Sequence, residues 1–86
     1  MIYEVLGTGK ENARTSKEIA KELNITPREV MENVREERFC GFPICANSKG
    51  YYIARDYSEL EETIKKLYAM ARETKSIADA MNKFFK

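Results

Sequence analysis

A chain of 86 residues, 43% apolar and 34% charged, has room for one small core and no second one. Fifteen basic residues against fourteen acidic ones leave a net charge of +1, which excludes the basic excess of a non-specific nucleic-acid coat, so any contact with DNA must rest on local charge placement. Histidine is absent, Cys40 and Cys45 are no zinc set by themselves, and neither a leader pattern nor an apolar run of ~18 residues is present. These features predict a cytoplasmic protein with no metal, cofactor, membrane or small-molecule partner, and with both cysteines as small packing residues.

In chain order, IYEVL suits a short leading helix. Gly7, Gly9 and Asn12 mark a loop, with Ala13 and Arg14 after it as candidates for a short strand. The GTGK stretch within the loop lacks the spacing of a phosphate-binding loop. With no paired acids converging on one face, no catalytic constellation is found, and the chain is not read as an enzyme.

Three Ser/Thr-x-x-Glu patterns then announce helix starts, because each side chain of the pair can satisfy an amide left open in the first turn. Thr15 with Glu18 precedes KEIAKEL, Thr26 with Glu29 precedes VMENV with Pro27 at the favoured first position, and Ser58 with Glu61 precedes a long periodic run. The first helix offers Ile19, Ala20 and Leu23 to a core, and the second offers Val30 and Val34. Only Asn24, Ile25 and Thr26 connect them, which predicts a steep helix-turn-helix crossing with Asn24 left-handed and Ile25 pinned between the helices. Gly41 and Pro43 end the second helix. ICA and YYI have strand character around the turn residues Asn47 to Gly50, and alternation sets Tyr51 and Ile53 on the face opposite Tyr52.

From Ser58 the chain has no Gly or Pro. Leu60, Ile64, Leu67, Ala71, Thr74, Ala78, Met81 and Phe85 recur at spacings of four and three, a heptad seam. A continuous helix of this length, roughly 40 Å, outruns what a domain this small can cover. Leu60 to Tyr68 are expected to pack on the domain. The rest needs either a second copy, with Leu67, Ala71, Thr74, Ala78, Met81 and Phe85 at the interface, or a break at a fresh Ser76–Asp79 cap that folds it back.

The stretch TSKEIAKELNITPREVMENVREERFCGFPICANSKGYYI resembles the winged helix-turn-helix module at the front of the biotin repressor, and small winged-helix proteins of phages and prophages of Gram-positive bacteria. The resemblance covers about residues 13–54 and implies a mainly α fold with a small β-hairpin wing, assigned to residues 1–57; the periodicity adds a long C-terminal helix over residues 58–86. It also implies sequence-specific binding of double-stranded DNA, with the helix from Pro27 in the major groove and the Asn47–Gly50 wing near the backbone or minor groove; together with the seam, this leads to the expectation of a homodimeric transcriptional regulator. At about 100° per residue, Arg28, Glu32 and Arg35 oppose the buried valines, so two cations flank one anion on the face offered to bases. Thr26 opens that helix, and Arg14, Ser16, Lys17 and Lys49 are the candidate phosphate contacts. Glu37 departs from the pattern, standing where such modules usually carry leucine, and predicts a more exposed or bent helix end. A protein-interaction adaptor on the same fold and a replication or excision accessory factor are the alternative functions.

Overall fold

The computed structural model describes residues 1–84. Three α-helices and one antiparallel hairpin follow a leading segment: α1 Ser16–Leu23, α2 Pro27–Phe39, β1 Ile44–Asn47, β2 Gly50–Ile53 and α3 Tyr57–Asn82. Both expected capping boxes at the first two helices form. The Thr15 hydroxyl accepts from the Glu18 amide at 3.1 Å while Glu18 reaches back to the Thr15 amide, and Thr26 and Glu29 repeat the arrangement, with Pro27 in the first turn. Caps of this kind stabilise a helix by about 1 kcal/mol each. Asn24 ends α1 in the left-handed conformation at φ 56°, and the Ile25 amide returns to the Ala20 carbonyl at 3.0 Å. The chain therefore turns within three residues.

Ile19, Ala20, Val30 and Val34, the apolar stripes of the two helices, form the core with Ile2, Leu6 and Ile44, and Leu23 and Ile25 pack at its edge. Ile2 belongs to a 3-10 turn over Ile2–Val5, the short leading helix expected there. Past it, the expected strand at Ala13 and Arg14 reduces to one bridge, with the Arg14 amide on the Tyr51 carbonyl at 2.9 Å and the Tyr51 amide on the Arg14 carbonyl at 2.8 Å. Gly50 makes this approach feasible. At φ 130°, a Cβ there would stand 2.0 Å from the Arg14 carbonyl oxygen, so only glycine fits.

Glu37 corrects the sequence reading. Its side chain is buried rather than exposed, and α2 continues past it to Phe39. The carboxylate accepts from the Ile2 amide and from the Tyr3 amide, each at 2.8 Å, so it caps the leading turn from across the molecule. Burial of this charge is tolerable because two N–H donors converge on it. The cysteines need a smaller correction: Cys45 is a packing residue, fully buried, whereas Cys40 at the end of α2 is exposed.

The hairpin is covered on both faces. Tyr51 and Ile53 lean on the core, while Tyr52 points the other way and is 2% exposed. Thr63 of α3 stands beside its hydroxyl. Here too the sequence reading shifts, because α3 starts at Tyr57 and is capped by Asp56, which accepts from the Glu59 amide at 3.0 Å, and not by Ser58. Glu59 decides between the two overlapping patterns: its carboxylate holds the Arg55 amide at 2.8 Å and the Lys10 amide at 3.3 Å, fixing the chain just before Tyr57. The helix then runs unbroken to Asn82, with no break at Ser76, and Asp79 pairs with Lys75 instead. The molecule is accordingly elongated, 49 Å in its longest dimension.

Two outcomes are expected. Glu37→Ala strands the Ile2 and Tyr3 amides and should lower stability by about 2–3 kcal/mol in urea titrations, with Glu37→Gln losing less. Burial, reinforced by Cys45 and Glu59, raises the Tyr52 pKa above its ordinary value of 10.0. The unfolded chain then releases this proton first, so the contribution is complete below about pH 10 and is lost as pH rises toward the folded value. Stability should fall more steeply above pH 10 in the parent chain than in Tyr52→Phe.

Candidate nucleic-acid interface

The residues expected to touch DNA fall into two groups, sorted by the element that carries them. On α2, Val30 and Val34 are buried, and Arg28, Glu32 and Arg35 occupy the solvent side. Arg28 Nε and Glu32 Oε1 stand 3.2 Å apart as an i,i+4 pair, with side chains 88% and 60% exposed. So open a pair holds weakly, a few tenths of a kcal/mol, and a competing partner can separate it at little cost. Arg35 is exposed and borders a shallow depression with Glu32, Glu36 and Phe39. Thr26, at the head of the same helix, is engaged in the cap: its hydroxyl accepts from the Glu29 amide and lies 3.1 Å from Glu29 Oε1.

The second group gathers around the start of α1 and the tip of the hairpin. Ser16 and Lys49 line one open groove together with Thr15, Asn47 and Ser48. The Lys49 backbone is held there, its amide donating to Asn47 Oδ1 at 2.8 Å, while its side chain is exposed. Lys17 is exposed in the first turn of α1. This groove offers hydroxyls, an ammonium and the open amides of a helix start, a set suited to phosphate oxygens.

Arg14 differs from the others. It is half-buried: Nη1 donates to the Val5 carbonyl at 2.9 Å and Nη2 pairs with Glu22 at 3.2 Å. Its charge is thus engaged within the fold, where it joins the leading turn to α1. Asn47 and Ser48 belong to the turn expected near the backbone or minor groove, but only Lys49 was singled out there, because a turn residue carries no signal of what its side chain faces.

A contrasting surface adjoins the outward face of α2. Phe39 is 93% exposed and Met31 58%, and with Tyr51 and Leu67 they line an apolar depression beside Arg35 and Arg38. Phe39 lies in the direction of Arg28, Glu32 and Arg35, and the charge count alone hid it.

The proposed dimer contacts Leu67, Ala71, Thr74, Ala78 and Met81 all lie on α3 and are exposed, whereas Phe85 lies outside the described residues. Among the described residues no cluster of His, Cys, Asp and Glu could hold a metal ion, and no helix is long and apolar enough to cross a membrane. No protein-family model, curated protein or solved structure matches this chain.

The two kinds of cation should separate by experiment. Arg14→Ala removes a charge-assisted bond to a backbone carbonyl and should lower stability by about 1–2 kcal/mol in chemical denaturation, whereas Lys17→Ala should stay within ~0.5 kcal/mol of the parent.

Proposed function

We propose that this chain is a cytosolic DNA-binding protein, a phage or prophage transcriptional regulator that works as a homodimer through a winged helix-turn-helix. The observation that carries this reading is the succession of two capped helices joined by a left-handed three-residue turn, followed by a hairpin whose tip shares a groove with the start of α1. In the proposed complex α2 enters the major groove. Arg28 and Arg35 present guanidinium groups to guanine O6 and N7, and Glu32 accepts from cytosine N4. Arg28 reaches a base by leaving Glu32, an exchange the exposure of that pair makes inexpensive. Ser16, Lys17 and Lys49 hold phosphates, which position the reading helix without specifying sequence, while Thr26 keeps the start of α2 capped. Arg14 acts indirectly, by fixing the ground on which α1 stands.

A second reading, an adaptor that docks another protein, draws on the exposed Phe39 and Met31 beside Tyr51 and Leu67. Aromatic and methionine side chains clustered this way are characteristic of docking patches.

Anisotropy titrations of duplexes selected from a randomised pool, run at two salt concentrations, distinguish the two. DNA reading predicts salt-dependent binding, a loss of about 1–3 kcal/mol for specific sites in Arg28→Ala and in Arg35→Ala, and an even weakening across all sequences in Lys49→Ala. Absence of salt-dependent binding to any duplex would favour the adaptor.

A further inference from the structure

Three arginines stand on α2, and the third does not follow the first two outward. Arg28 and Arg35 are exposed, whereas Arg38, in the last turn, is half-buried. Its Nε donates to the Ile44 carbonyl at 2.8 Å, and its guanidinium stands over the Tyr51 ring, 6.0 Å from the centroid. One side chain thus grips both strands of the hairpin. The bond to Ile44 is the stronger hold, being charge-assisted, while the ring lies at the outer reach of a cation–π contact.

The Ile44 carbonyl is open to this bond because of how the strands pair. Ile44 stands opposite Ile53, but Ile53 directs its amide to Gly7 and receives the Gly9 amide at its carbonyl, so this pair exchanges no ladder bond. The Ile44 carbonyl therefore faces away from β2, and Arg38 meets it there. On the other edge of the hairpin Tyr51 exchanges two backbone bonds with Arg14, next to the Thr15 cap of α1. The turn through Asn24 and Ile25 joins α1 to the head of α2, and Arg38 lies near the far end of α2, about 17 Å along the helix. The side chain closes a ring that runs from α1 through α2 to the hairpin and back to α1.

We propose that Arg38 is a positioning residue, setting the hairpin at a fixed distance from the outward face of α2 so that Lys49 reaches a phosphate while Arg28 and Arg35 meet bases. The requirement is sharpest at the tip. Lys49 lies beyond Asn47, itself ~10 Å along β1 from Ile44, so a tilt of about 6° at Ile44 moves the tip by about 1 Å. A shift of that size turns a hydrogen bond into a gap. The inference rests on the DNA-binding reading and deepens it, because Arg38 acts through Lys49 and touches no nucleic acid itself.

Two substitutions of nearly equal length separate this role from a direct contact. Glutamine places an amide nitrogen where arginine carries Nε and removes the charge, and methionine places a methyl group there. In anisotropy titrations Arg38→Gln should keep the parent's affinity and salt slope, whereas Arg38→Met should weaken all duplexes evenly and lower the slope by about 1, the mark of one lost phosphate contact. On top of Arg38→Met, Lys49→Ala should add nothing further. Equal losses in both Arg38 variants would make Arg38 itself a phosphate contact and overturn the proposal, as would parent-like binding by Arg38→Met or a full Lys49→Ala effect in its background. A second readout needs no DNA: residual dipolar couplings of the hairpin amides should shrink relative to those of α2 in Arg38→Met and stay at parent values in Arg38→Gln. Should no duplex bind the parent, that pattern retains Arg38 as the residue holding the hairpin while the DNA reading falls, and unchanged couplings in Arg38→Met overturn both.

Discussion

The two hydrogen bonds that Glu37 accepts from the Ile2 and Tyr3 amides hold the first residues of the chain against the end of α2. Much else follows from that attachment. With the leading turn in place, Ile2 and Leu6 close the core over Val30, Val34 and Ile19, and the chain proceeds along the hairpin, where Ile53 donates to Gly7 at 2.9 Å and Gly9 donates to Ile53 at 2.8 Å. Arg14 then completes the attachment through Tyr51, Val5 and Glu22. A buried carboxylate thus organises a region that apolar packing alone would leave loosely specified. Leucine at the same place would add apolar contact and lose both acceptors.

What the sequence disclosed and what it hid divide along the range of the interactions involved. Thr15 with Glu18 and Thr26 with Glu29 act across three residues, and Asn24 acts on its own backbone, so their roles were readable where they stand. Glu37 finds its partners 34 and 35 residues away, and no local pattern encodes such a pairing. At α3, Asp56 with Glu59 and Ser58 with Glu61 are equally good local starts. The earlier start goes with Glu59 accepting from the nearby Arg55 amide and from the Lys10 amide, which it meets only after folding. The seam of α3 was legible as a period of three and four, but Thr63, the residue of that helix most deeply buried, is polar and was invisible to a search for apolar repeats. It is buried beside Tyr52, which another element supplies.

The same division applies to the candidate interface. Directions on α2 could be read from Val30 and Val34, which is why Arg28, Glu32 and Arg35 are found exposed together. That Ser16 and Lys49 line a common groove depends on how the hairpin lies against α1 and required the structure. Arg14 shows the limit of reading charge without context, since a cation near a helix start serves an internal anion as readily as an external one. A nearly neutral chain can still set a cation in a groove whose lining holds no acid, as Lys49 stands there with Thr15 and Ser16.

The close passage of Gly50 over the Arg14 carbonyl carries a mechanical consequence. Strand β2 is fastened to the residue just before the Thr15 cap by bonds running both ways between Arg14 and Tyr51, so the hairpin tip and the start of α1 form one rigid piece. The backbone spacing between Ser16 and Lys49 is therefore set by bonds internal to the fold. A change in that spacing would first have to break the paired Arg14 and Tyr51 backbone bonds.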